Sequence, residues 1–128
     1  MTRHQMIELV ERYFGAVDGE DFAVIAGTLA PECIFSVETH SVLLASRTEI
    51  ETMFRRLWND HAAVSHRDFV YVADVDEGRI AARFQVVNTH ADGSETRKSN
   101  CNFFEIQDGA FSRVAVYMTG DNTLDADK

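Results

Sequence analysis

Apolar positions along the chain recur with two different periods, and the change from one to the other divides it. In residues 2–18, Met6, Leu9, Val10, Tyr13, Phe14 and Val17 recur at helical spacing and predict an amphipathic helix. Thr2 and Gln5 have the spacing of a capping box, and Gly19 is placed to end the helix in the left-handed conformation. Residues 20–29 predict a shorter helix with Phe22, Ile25, Ala26 and Leu29 as its buried stripe, and Pro31 lies beyond its end. Residues 33–39 and 42–45 read as strands. A third helix follows, capped by Thr48 with Glu51 three residues on, its face traced by Ile50, Met53, Phe54, Leu57 and Trp58.

From residue 65 to 118 the period is two. In residues 79–90, Ile80, Ala82, Phe84, Val86, Asn88 and His90 share one face, and Arg79, Arg83, Gln85 and Thr89 share the other. One apolar and one polar face mark a half-buried antiparallel strand. The turn at 91–94 sends the chain back as a strand over 98–107, and Asp108-Gly109 is a hairpin signal before a last strand ending near Thr119. Helices segregated from a run of strands predict an α+β fold, with a curved antiparallel sheet wrapped over the helices as a cone-like pocket. One domain over residues 1–120 and a flexible acidic tail over 121–128 are expected.

Composition narrows the picture only a little. The chain has 128 residues, 45% of them hydrophobic, which suits one compact core. A formal net charge of -9 argues against nucleic acid as a partner, because phosphate binding needs clustered Lys and Arg. No apolar run approaches the ~20 residues that a membrane helix needs, and no signal peptide is evident, so a cytoplasmic protein with no membrane partner is expected. Cys33 and Cys101 lack CxxC spacing and read as reduced thiols. There is no HExxH pattern or glycine-rich phosphate loop, and His61, His66 and His90 give only weak support for a metal, so none is expected.

Four polar residues sit oddly for pure packing. Tyr13 lies on the apolar face of the first helix, as a core aromatic with its hydroxyl at the rim or as a donor into a cavity. Asp18 stands at a helix C-terminus, where negative charge is disfavoured; it either forms the turn before Gly19 or serves something else. His66 begins the strand run, facing solvent or, held by a carboxylate, acting as a general acid/base. Asn100 and Asn102 share a face with Phe104; they bond each other, or one of them directs its NH2 into a cavity as an oxyanion contact. Asn88 and His90 share the pocket parity but fall near a hairpin end, where exposure is expected.

These residues also carry a resemblance. Glu11 to Phe14, Val17 to Phe22, Leu29 to Glu32, Ser46 to Ile50 and Phe104 to Val114 together resemble the nuclear transport factor 2-like superfamily, over roughly residues 7–118. That superfamily includes ketosteroid isomerases, SnoaL-like polyketide cyclases and scytalone dehydratases, and one cone hosts many chemistries. The resemblance to ketosteroid isomerases places Tyr13 at an oxyanion-hole tyrosine and Asn100 at a protonated aspartic acid. The proton-shuttling aspartate of those enzymes would fall at Val37, with Glu38 beside it. The resemblance to scytalone dehydratases places Asp18 at a helix-end aspartate, His66 at a histidine and Asn100 at a substrate-binding asparagine, with a second histidine near Ala91, one residue from His90. Val17 occupies one of that family's tyrosine positions.

The reading that follows is an acid/base enzyme of the dehydratase, isomerase or cyclase type, needing no cofactor and acting on a small apolar carbonyl compound. In it His66, oriented by Asp18, moves a proton while Tyr13 and Asn100 stabilise enolate charge; Asn102, Phe14, Phe35, Phe54, Trp58, Phe84, Val86, Phe104 and Met118 form the lining or its supporting core. A non-catalytic binder of a small hydrophobic molecule is the alternative. Arg83, Gln85, Val87 and Thr89 on the outer sheet face suit a homodimer.

Overall fold

In the computed structural model, which describes residues 1–124, three helices pack on one face of a six-stranded sheet. Helix α1 (Arg3–Asp18) is closed at its start by the reciprocal Thr2–Gln5 box, with Gln5 N–H donating to Thr2 Oγ1 at 3.1 Å and Thr2 N–H donating to Gln5 Oε1 at 2.9 Å. Its end differs from the expectation. Gly19 has φ −88°, and the left-handed residue is Glu20, at φ 55°. Helix α2 (Phe22–Thr28) runs straight into strand β1 (Leu29–Val37), so Pro31 belongs to that strand. After a single 3₁₀ turn (Glu38–His40) and β2 (Val42–Leu44) comes α3 (Arg47–Asp60). Its cap is Ser46 rather than Thr48: Ser46 Oγ accepts from Glu49 N–H at 3.1 Å, and the Glu49 carboxylate turns back to Ser46 Oγ and Ala45 N–H.

The remaining chain is the meander of β3 (Ala63–Asp74), β4 (Arg79–Thr89), β5 (Glu95–Gln107) and β6 (Ala110–Tyr117). Asp108 and Gly109, at φ 53° and 79°, make the tight β5–β6 turn that the Asp-Gly pair predicts. Strand order is β2-β1-β6-β5-β4-β3, and the β1–β6 pairing is parallel, so the sheet is mixed rather than wholly antiparallel. It is also open, with β2 and β3 as edges, rather than closed as a barrel. β1 enters the sheet from the helical half of the chain, between the β2 edge and β6. A bulge between Arg67 and Val70, with Asp68 at φ 59°, bends β3.

The register sorts side chains into rows across the sheet. On the inner face one row runs Leu44, Phe35, Val114, Phe104, Ile80 and Ala73, packed under α1 and α3. The next runs Val42, Val37, Val116, Asn102, Ala82 and Tyr71. On the outer face, Leu43, Ser36, Ala115, Phe103, Ala81 and Val72 form a row across all six strands, with Leu43, Phe103 and Val72 exposed. Val87 has outer parity but is buried within the monomer, so it offers no contact surface there. Both cysteines are free. Among the described residues no helix is long and apolar enough to cross a membrane.

The segment after β6 folds back instead of trailing away. His40 Nε2 meets Gly120 O at 2.9 Å, Lys98 Nζ donates to Asp121 O, and Asn122 is buried. Of the expected flexible tail, residues 121–124 therefore lie against the core, and residues 125–128 lie outside the described part.

Candidate active site

The end of α1 explains its unfavourable carboxylate. Asp18 faces the start of β3, where Oδ1 lies 2.5 Å from His66 Nδ1 and Oδ2 accepts from the His66 backbone N–H at 2.9 Å. Two donors from one residue clamp both oxygens, which repays the cost of negative charge at a helix C-terminus. A carboxylate only accepts, so Nδ1 carries the proton and Nε2 is the ring nitrogen left for the interior. The imidazole is wedged between Phe14 and Phe84, at ring-centre distances of 4.8 and 5.2 Å. Its side chain is 10% exposed and that of Asp18 is 28% exposed.

His66 lines an interior hollow of about 40 Å³, which holds roughly three waters. Tyr13, Asn100 and Asn102 line it as well, and Asp18 stands behind His66 rather than in the wall. Of the apolar residues expected there, Phe14, Phe35, Phe54, Phe84, Val86 and Met118 border the space. Phe104 and Trp58 do not. Phe104 is fully buried behind Tyr13 against Phe111, and Trp58 stacks on Phe54 while its Nε1–H donates to Val17 O at 2.9 Å. Both belong to the supporting core.

Burial holds the Tyr13 hydroxyl far above the ordinary phenol range, and the buried Cys33 adds to the effect, so the phenol stays a neutral donor. Asn100 Oδ1 accepts from Thr119 N–H at 3.2 Å, which fixes the amide and leaves its NH2 as the free donating end. Asn102 is 3% exposed and its Oδ1 has no partner among the described residues. Val37 is buried beside a separate cavity of about 230 Å³, and Glu38 pairs with Arg113 at 3.0 Å on the surface. Glu38 therefore does not stand in for a carboxylate at Val37.

Two contributions were missed by sequence reasoning. Asn88 is 1% exposed and lines the hollow, although its place near a hairpin suggested exposure. Its parity with Phe84 and Val86 was the signal. Thr123 and Leu124 also line the hollow, and Leu124 borders the 230 Å³ cavity as well. No local pattern announces such a contact. His61 and His90 lie elsewhere, with rings 5.5 Å apart, and His90 Nε2 contacts Thr96 Oγ1 at 2.6 Å.

Among solved structures, the chain is similar to a candidate polyketide cyclase from Xanthomonas campestris pv. campestris, with TM-score 0.82, 21% identity and 90% of each chain covered. It is also similar to a LEH-like epoxide hydrolase from M. tuberculosis, with TM-score 0.76, 16% identity, and 90% of this chain and 83% of that one covered. A candidate ketosteroid isomerase from Kribbella flavida DSM 17836 gives TM-score 0.71 at 18% identity, over 93% of this chain and 81% of that one. At such identities the likeness shows the fold. No curated protein matches. The model of the SnoaL-like domain matches residues 1–119, nearly the whole described chain, and the protein belongs to that family within the nuclear transport factor 2-like superfamily.

Proposed function

We propose that this protein is a cofactor-independent general acid/base enzyme, of the dehydratase, isomerase or cyclase type, acting on a small, largely apolar carbonyl compound. The observation that carries the reading is the two-point clamp of Asp18 on His66, which ties down Nδ1 and leaves Nε2 as the ring nitrogen available at the wall of the hollow. In this mechanism Nε2 removes a proton from the carbon beside the carbonyl. Asp18 holds the tautomer and steadies the imidazolium that results. The Tyr13 hydroxyl and the Asn100 NH2 donate to the enolate oxygen, and the apolar walls strengthen both bonds by excluding water. His66 and Asn100 project from β3 and β5, on either side of β4 and two residues apart along it, roughly 12 Å apart at the backbone by strand spacing and rise. A substrate lying across Phe84 and Val86 reaches both. Cyclase, hydrolase and isomerase assignments among similar folds support chemistry of this class.

A molecule of ten heavy atoms exceeds a 40 Å³ hollow, so binding requires Thr123 and Leu124 to move aside, joining it to the 230 Å³ cavity that Leu124 borders. The test is deuterium uptake at the methyl group of acetophenone in D2O, followed by NMR. The native protein should accelerate exchange, and His66→Ala should lose roughly 10²–10⁴-fold of that acceleration. Equal exchange by the two proteins would end the proposal.

A further inference from the structure

The chemistry proposed above uses His66, Asp18, Tyr13 and Asn100 and leaves two wall amides without employment, Asn102, unpartnered at Oδ1, and Asn88, unpartnered at both ends. Asn88 is 99% buried, lines the hollow, and neither its Oδ1 nor its Nδ2 has a hydrogen-bond partner among the described residues. The register shows why no neighbour satisfies it. Across β5 it faces Thr96, whose hydroxyl turns to His90 Nε2 at 2.6 Å and makes no bond to the amide. Across β3 it faces Val64, which has nothing to offer. The other wall amides are out of reach: Asn100 is paired with Phe84, four residues along β4 from Asn88, or roughly 13 Å at the strand rise. No protein group bonds this amide in return for its burial, and a leucine of similar size would fill the site without that cost.

His66 is paired with Val86, two residues before Asn88 and on the same face, so His66 and Asn88 are diagonal neighbours roughly 7–8 Å apart. That is close to the span of one substituted benzene ring. We infer that Asn88 is a substrate-recognition residue, taking a group on the bound molecule that both donates and accepts a hydrogen bond, a hydroxyl above all, placed about one ring-width from the carbon on which His66 acts. The placement of that carbon rests on the acid/base reading of His66; the unsatisfied amide does not. Asn88 offers an NH2 and a carbonyl oxygen side by side, so a hydroxyl engages both, an ether engages only the NH2, and a hydrocarbon engages neither. The substrate class narrows accordingly, from apolar carbonyl compounds to hydroxy-carbonyl compounds.

Three probes of one shape separate these cases: 4′-hydroxyacetophenone, 4′-methoxyacetophenone and acetophenone, titrated by calorimetry into the native protein and into Asn88→Leu. The hydroxy compound should bind the native protein roughly ten- to a hundredfold more tightly than the other two, as expected where a buried polar site is left unmatched by the wrong ligand. In Asn88→Leu that preference should vanish, the affinity for acetophenone should stay, and the unfolding temperature should be unchanged or higher. Equal affinities of the native protein for all three probes, or binding of none, overturns the inference. So does a preference retained in Asn88→Leu, or a large drop in that variant's unfolding temperature, which would make the amide a structural bond. Deuterium exchange is read separately. Loss of exchange with the hydroxyl preference intact would count against His66 and not Asn88, and the converse would count against Asn88 alone.

Discussion

Asp18→Asn changes one atom of the clamp and should invert the chemistry of His66. The aspartate accepts twice, from Nδ1–H at 2.5 Å and from the His66 backbone N–H at 2.9 Å. An asparagine can accept only through Oδ1. The backbone N–H cannot turn away, so Oδ1 goes to it and the new NH2 faces Nδ1. Nδ1 must then be the acceptor, and the proton moves to Nε2, the nitrogen proposed as the base. The opposite amide orientation would set an NH2 against the backbone N–H, leaving a largely buried donor unsatisfied at a cost of about 1–3 kcal/mol. With the His66 side chain 10% exposed and Asp18 28% exposed, solvent relieves little of that. Turnover should fall roughly 10²–10⁴-fold, equivalent to about 3–5 kcal/mol of transition-state stabilisation. The direct assay needs no substrate: long-range ¹H–¹⁵N correlation of the His66 ring reports the tautomer, Nδ1–H in the native protein and Nε2–H in the variant. A ring that keeps Nδ1–H in Asp18→Asn, or keeps full exchange activity after switching, would refute the reasoning.

Tyr13→Phe should fold with nearly native stability, because the ring is held by edge contacts with Phe14, Phe54, Phe104 and Phe111; exchange activity should drop roughly 10²–10³-fold, as for loss of one oxyanion donor, and unchanged kinetics would remove Tyr13 from the mechanism. Burial pushes the Cys33 thiol up to about 11, against the opposing pull of Arg47, and pushes the Tyr71 hydroxyl up to about 12. The folded state thus keeps protons that the unfolded chain has already lost, so stability should be level below the ordinary thiol range of ~8.5 and decline from there through pH ~11. Urea titrations at pH 8, 9.5 and 10.5 measure this, and Cys33→Ala should flatten the first part of the decline. The outer row with Phe103 39% and Val72 71% exposed is the surface expected to pair two copies; light scattering should give a dimer for the native protein and a monomer for Phe103→Glu with Val72→Glu, and a native monomer would dismiss this surface.

Much of the architecture was legible because it is written locally. The period-two pattern puts Phe84 with Val86 on one face of β4 and Asn100 with Asn102 on one face of β5 whatever the rest of the chain does, since side chains alternate along any extended strand. The Thr2–Gln5 box and the Asp-Gly turn are equally local. The cap of α3 was placed two residues late because Thr48–Glu51 and Ser46–Glu49 share one spacing, and only the backbone path chooses between them.

What the sequence by itself determined was the α+β class, the faces of its strands and the residues able to do chemistry. What only the tertiary structure decided was which of those meet. Asp18 and His66 are 48 residues apart, and nothing in either neighbourhood specifies the 2.5 Å contact. Asn88 is buried because it faces the hollow, although the turn at 91–94 just beyond it is exposed, and Leu124 lines the hollow only because the tail folds back. Side-chain parity and caps depend on a few consecutive residues. Convergence at a site depends on the packing of α1, the bent β3 and the returning tail, which no short stretch of sequence encodes.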